Sequence, residues 1–246
     1  MADAFWLLDV KVEPYTMDGA AYALSRNLRN KRPAFVAMVN TEIIMRCQKD
    51  PMFKSIINSA DFILPDGTGI VWAGRHLGHK VPERVTGCDL IEELFKLADR
   101  NMYRIFLLGA APGVAEAAIE SSRAKYPGAV FAGCRDGFFP ESETPGIIAR
   151  INQAQADILL VALGSPKQEK WIFANRAKLN STVFLGVGGS FDVMAGRVAR
   201  APRFMQKAGL EWLFRLYKQP GRFWRMLAIP KFIFCVLSKR KGLDKG

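Results

Sequence analysis

Two histidines, His76 and His79, are all that this 246-residue chain contains. That leaves nothing for a His-rich metal site and argues against a Ser-His-Asp triad. Cysteine is sparse too. Cys47, Cys88, Cys134 and Cys235 form no Cys-x-x-Cys pair and no metal-ligand spacing. Reduced, packed thiols in a cytosolic protein are expected, not a disulfide framework. No Asp-x-Asp occurs, which argues against a metal-bridged diphosphate site and against a carboxylate metal cluster. Neither Gly-x-Gly-x-x-Gly nor a Walker sequence is found, which disfavours a dinucleotide-dependent oxidoreductase. Neither a metal nor a cofactor is expected. The N-terminus, Met-Ala-Asp-Ala, lacks the basic region and apolar core of a secretory signal.

The chain has an ample apolar fraction, 50%, enough for a sizeable core. Its charge is uneven. From Arg197 onward there are thirteen Lys and Arg against only Glu211 and Asp244, a net +11 out of the chain's +12. The same tail interleaves aromatics with cations: Trp212, Phe214, Tyr217, Phe223 and Trp224 stand among Arg215, Lys218, Arg222 and Arg225. Its longest apolar stretch is broken by Pro230 and Lys231 and is too short to span a bilayer. The pattern fits an element lying on an anionic membrane surface, with aromatics at the acyl boundary and cations on phosphates. A core-packed terminal helix with a solvated face is the plainer reading. No RNA or DNA module is recognisable, so a nucleic-acid partner is not expected. Two parts are expected: a core over 1–200 and a basic aromatic appendage over 201–246.

Through the core, short apolar runs alternate with helix-like segments. Phe35–Val39 precedes Glu42–Gln48, Arg104–Leu108 precedes Val114–Tyr126, and Ala129–Ala132 precedes Pro145–Ala154. Ile158–Leu163 precedes Gln168–Lys178, and Val183–Val187 runs into Gly188-Gly189. Such alternation predicts an α/β fold with a mainly parallel sheet covered on both faces. A strand over Phe5–Val12 and a helix from about Thr16 would add an edge unit. The tail reads as helices interrupted by Pro220 and Pro230, with no further strand.

Polar residues gather where these strands end, and in open α/β sheets that is where ligands bind. Gly164-Ser165-Pro166-Lys167-Gln168-Glu169 puts Ser165, Lys167 and Gln168 beside a helix N-terminus, suited to an anionic ligand. Leu64-Pro65-Asp66-Gly67 puts a carboxylate at a strand end, where a base meets a ligand; Asp-Gly is also a common turn pair. Val39-Asn40-Thr41-Glu42 places an Asn that caps a helix, orients a hydroxyl, or does both. Gly109-Ala110-Ala111-Pro112-Gly113 fits a phosphate loop and a plain tight turn equally. Gly186-Val187-Gly188-Gly189-Ser190-Phe191-Asp192 lets backbone approach a ligand closely, and Asp192 can hold a ribose or sugar hydroxyl or cap a helix.

Taken together with Arg84-Val85-Thr86-Gly87-Cys88-Asp89-Leu90, Asp136-Gly137-Phe138-Phe139, Arg200-Ala201-Pro202 and Gly209-Leu210-Glu211-Trp212-Leu213, these segments resemble the WecG/TagA/CpsF family of bacterial glycosyltransferases in order and spacing. The resemblance implies a Rossmann-like core and transfer of a sugar from a UDP-sugar to a lipid-diphosphate-linked sugar acceptor. The reaction is placed peripherally at the inner, cytoplasmic face of the cell membrane. In the best-known branch N-acetylmannosamine passes to undecaprenyl-diphospho-N-acetylglucosamine in wall teichoic acid synthesis. Other branches use other UDP-sugars, such as N-acetylmannosaminuronate or glucose, in capsule or exopolysaccharide synthesis. By the resemblance Asp66 is the general base, with Asn40 and Gln168 in the catalytic site. Arg215, Arg222 and Arg225 meet the acceptor diphosphate. Thr41, Ser165, Lys167, Gly188, Gly189, Ser190 and Asp192 complete the expected substrate contacts. Met38 stands where some members have Thr, so the donor sugar is left open. A homo-oligomer is a further expectation, as is, in a different class, a non-catalytic membrane-surface scaffold.

Overall fold

The computed structural model describes residues 3–218, 221 and 223–243, apart from the side chains of 203, 207, 215, 225 and 239–243. The chain opens with a hairpin of β1 (Phe5–Leu7) and β2 (Val10–Val12). Leu8 and Asp9 make the turn, both at positive φ (49° and 60°). The single strand expected over Phe5–Val12 is therefore two short antiparallel ones, forming a sheet of their own. Thr16 then caps α1 (Met17–Arg29) by accepting from the Gly19 N–H, which fixes its start.

The main sheet has six parallel strands: β3 (Ala34–Val39), β4 (Phe62–Pro65), β5 (Arg104–Gly109), β6 (Val130–Arg135), β7 (Ile158–Ala162) and β8 (Val183–Gly186). They lie in the order β4-β3-β8-β7-β5-β6. All residues of β3, β4, β7 and β8 are buried, as contiguous apolar runs require when both faces are covered. The links are α2 (Thr41–Cys47), α3 (Pro51–Asn58), α4 (Thr68–His76), α5 (Gly87–Asn101), α6 (Val114–Arg123), α7 (Thr144–Gln153), α8 (Lys167–Asn175) and α9 (Ser190–Met194). One face of the sheet buries side chains of the hairpin, α2, α3, α4, α7 and α8. The other buries those of α1, α5 and α6, with Phe191 of α9. The chain thus leaves β3 and β7 toward one face but β8 and β5 toward the other. Loops that part in opposite directions open a crevice along the carboxyl edge of the sheet.

Beyond residue 200 the described residues form only helices: α10 (Arg203–Lys207), α11 (Glu211–Lys218), α12 (Phe223–Met226) and α13 (Ala228–Leu243). Pro220 lies outside the described residues. Pro230 does not interrupt a helix: it sits in the first turn of α13, where a missing N–H costs nothing. Phe232 and Val236 are fully buried and join the core on the α2 and α4 side. Phe204, Tyr217, Trp224 and Phe234 are each more than 70% exposed, so these helices carry an outward aromatic surface. Among the described residues no helix is long and apolar enough to cross a membrane.

Candidate active site

Parallel register sets Asp66 beside Asn40. Val39 pairs with Pro65, and the Asp66 N–H donates to the Val39 carbonyl at 2.8 Å. Both residues are half-buried at adjacent strand ends. Asn40 is the N-cap of α2, its Oδ1 accepting from the Ile43 N–H at 3.0 Å. Capping is therefore real, and it leaves the amide NH2 to meet a ligand. Gly67 (φ 130°) follows Asp66 in a conformation that side chains resist, and a Cβ there would lie 3.8 Å from the Asn40 Cβ. Thr41 also borders this corner: its Cγ2 lies where a Cβ on Gly69 would come within 2.6 Å, so α4 packs tightly on the start of α2.

Across β3 lies the end of β8, with the glycine turn. The ends of β4 and β8 are two strand spacings apart, roughly 10 Å. The Gly188 N–H donates to Gln168 Oε1 at 3.0 Å, and Gln168 Nε2 donates to Glu169 Oε1 at 2.8 Å. Gln168 and Glu169 are both buried. Burial is the main force raising the Glu169 carboxyl above the usual carboxylate range, opposed by the Gln168 hydrogen bond, its own backbone, the Ser165 hydroxyl and the Arg46 charge. Ser165 is half-buried after β7, whereas Lys167 is exposed at the start of α8. Ser190 turns inward, donating to the Val187 carbonyl at 2.7 Å, with Cys88 Sγ 3.3 Å away. Gly189 is exposed and Asp192 half-buried, one turn into α9.

Gly109 answers to packing. With φ of 122°, a Cβ there would lie 2.5 Å from the Ala162 backbone, so its absence lets β5 and β7 close up. Of the appendage arginines, Arg222 lies outside the described residues. Arg215 and Arg225 fall on α11 and α12, with their side chains outside the described set.

Sequence reasoning gave no role to Arg84. Its guanidinium bonds Glu211 at 3.2 Å and the Gln206 carbonyl at 3.0 Å, fastening α10 and α11 over the Asp66 corner. Beside this clasp a groove of about 1020 Å3 runs along α4, its lining including Thr68, Trp72, His76, Arg84 and Gln206. Among the described residues no three His, Cys, Asp or Glu side chains gather as metal ligands.

A crevice across strand ends, with a carboxylate on one side and a glycine turn on the other, is the layout of a group-transfer enzyme on a nucleotide-binding sheet. The chain belongs to the glycosyl transferase WecG/TagA/CpsF family, whose pattern matches residues 5–246. It is similar to an N-acetylglucosaminyldiphosphoundecaprenol N-acetyl-beta-D-mannosaminyltransferase of Bacillus spizizenii strain W23, at 37% identity over 89% of this chain and 84% of that one. The enzyme of the same name from Bacillus subtilis strain 168 is also 37% identical, over 90% and 86%. That of Staphylococcus aureus strain MW2 is 35% identical, over 86% and 83%.

Proposed function

We propose that this glycosyltransferase moves N-acetylmannosamine from UDP-N-acetylmannosamine to lipid-diphospho-N-acetylglucosamine, with inversion and without a metal. The observation that carries the reading is the pairing of Asp66 with Asn40, which stands at the end of the strand next to the glycine turn, in a chain similar over most of its length to transferases of that name. Asp66 takes the proton from the acceptor hydroxyl as that oxygen bonds to the anomeric carbon. The bond from that carbon to the UDP oxygen breaks, and UDP leaves with the electron pair. Asn40 holds a sugar hydroxyl, Thr41 borders the acceptor side, and Lys167, Gly188, Gly189 and Asp192 surround the UDP end, while Gln168, Ser165 and Ser190, whose polar atoms are turned inward, stand behind the glycine turn. Arg215, Arg222 and Arg225 grip the acceptor diphosphate and offset charge on departing UDP.

Met38 is buried in the core with α1 and α5, so the departure at that position lies among apolar side chains. A panel of UDP-sugars tests the donor directly. Acceptor-dependent UDP release in EDTA is the expected result. Release only with magnesium overturns the metal-free step, and release only with another UDP-sugar overturns the donor. Asp66→Asn should lower kcat by about 10²–10⁴ with an unchanged unfolding midpoint; wild-type turnover removes Asp66 from the mechanism.

The same reading places the protein peripherally on the inner membrane face, with residues 201–246 as the lipid-facing appendage. Its outward aromatics and the net +11 charge support this. Because Phe232 and Val236 belong to the core, truncation confounds the test. The triple variant Tyr217→Ser, Trp224→Ser, Phe234→Ser alters only exposed side chains. It should lose flotation with vesicles containing anionic lipid; undiminished flotation refutes the membrane role. Departure of α13 would bare the apolar side of α2 and favour self-association, which sedimentation with and without lipid measures.

A further inference from the structure

Glu169 is 3% exposed, too deep to meet a substrate, yet it is a carboxyl whose Oε2 has no hydrogen-bond partner of good geometry. A buried carboxyl is costly unless its oxygens are hydrogen-bonded or paired. Its Oε1 accepts from Gln168 Nε2, and the far side of that same amide accepts the Gly188 N–H. An amide has two unlike ends. The Gly188 N–H selects the oxygen at one end, and an acceptor at Glu169 selects the NH2 at the other.

We propose that Glu169 is a positioning residue: it sets the orientation of the Gln168 amide and thereby seats the glycine turn 186–190 for the nucleotide end of the donor. Two observations on other residues support it. Gly186 has no room for a side chain because the Gln168 amide fills the space, with Nε2 2.7 Å from where a Cβ would stand. The amide is thus wedged between the floor of the turn and Glu169. Ser165 Oγ, itself buried and without a partner of good geometry, lies on the Glu169 side. A carboxamide in place of the carboxyl would accept from Gln168 and donate to Ser165, keeping the orientation without the charge.

The proposal rests on the reading that the turn receives a nucleoside diphosphate, so the test has one arm independent of it. Hydrogen exchange of the Gly188 amide reports the Gln168 bond directly. UDP titration, with donor and acceptor KM measured separately, reports the seat. Glu169→Leu should deprotect Gly188, weaken UDP about tenfold, the worth of one hydrogen bond, and raise the donor KM but not the acceptor KM. Glu169→Gln should restore protection and stay within about twofold of wild type in UDP affinity. A Glu169→Leu protein with wild-type protection and UDP affinity overturns the proposal, as does a Glu169→Gln protein as impaired as the leucine variant. If Glu169→Leu does not fold, Gly186→Ala displaces the same amide from the other side and should show the same donor-selective loss; wild-type UDP affinity there is also an overturning result. If the wild type binds no UDP, the functional reading fails, while Gly188 exchange still decides whether Glu169 sets the turn.

Discussion

Asn40 has two jobs in this structure, and substitution separates them. As N-cap it accepts from the Ile43 N–H at 3.0 Å and holds the start of α2, whose Ile43, Ile44 and Cys47 are buried. Asn40→Ala removes that bond at a cost of about 1 kcal/mol. In a chain of 246 residues this lowers Tm by about 2–4 °C. Asn40→Ser keeps a capping oxygen, and Ser caps about as well as Asn, so its Tm should stay within about 1 °C of wild type. What both variants lose is the amide NH2 beside Asp66. If that group holds a sugar hydroxyl, each variant should lose about tenfold in kcat/KM, the worth of one hydrogen bond in the transition state. Differential scanning fluorimetry and initial rates of acceptor-dependent UDP release read the two effects separately. Full activity in Asn40→Ser would make Asn40 a cap and nothing more. A wild-type Tm in Asn40→Ala would mean that the cap bond does not hold α2.

Glu169 makes stability depend on pH. Burial raises its folded pKa, so the folded protein holds that proton more tightly than the unfolded chain. Its contribution favours folding below the unfolded value of about 4.3 and becomes a growing cost as pH rises through the folded value. Glu169→Gln removes the cost, so its Tm should exceed wild type at pH 8 and converge with it near pH 4; a constant difference across that range refutes the assignment. Two glycines of one loop should respond differently to alanine in urea denaturation. Gly109→Ala drives a methyl into the Ala162 backbone and should cost more than about 4 kcal/mol. Gly113→Ala meets only the Arg197 guanidinium at 3.5 Å and should cost about 1–2 kcal/mol for its left-handed backbone. Equal losses would mean that close packing does not explain Gly109.

Much of this architecture was legible. The apolar runs that became β3, β5, β7 and β8 were read within one residue of their ends, because buried parallel strands leave an unbroken signal. Asp66, Asn40 and Gln168 stand out as candidates because polar residues near strand ends contrast with such runs. The hairpin was missed because Leu8 and Asp9 enter the left-handed region without the glycine that usually announces it. Helices α3 and α5 went unread, although Asp50-Pro51 and Thr86 cap them in the expected way. Glu169 was quoted within its motif but given no role. A glutamate next to a lysine and a glutamine reads as surface, and only the packing of α8 against the sheet buries it. Likewise Gly109 was an even choice until the Ala162 backbone appeared beside it.

The last helix carries its own toll. Burying Phe232 and Val236 contributes about 1.5–3 kcal/mol each, and α2, against which α13 packs, begins at the Asn40 corner. Any partner that grasps α13 by its inner side must first repay that burial. One that takes only Ile233, Phe234 and Leu237, which face outward, repays nothing. The two modes are therefore ranked by energy before any partner arrives. The outward mode leaves α13 seated against α2 and α4.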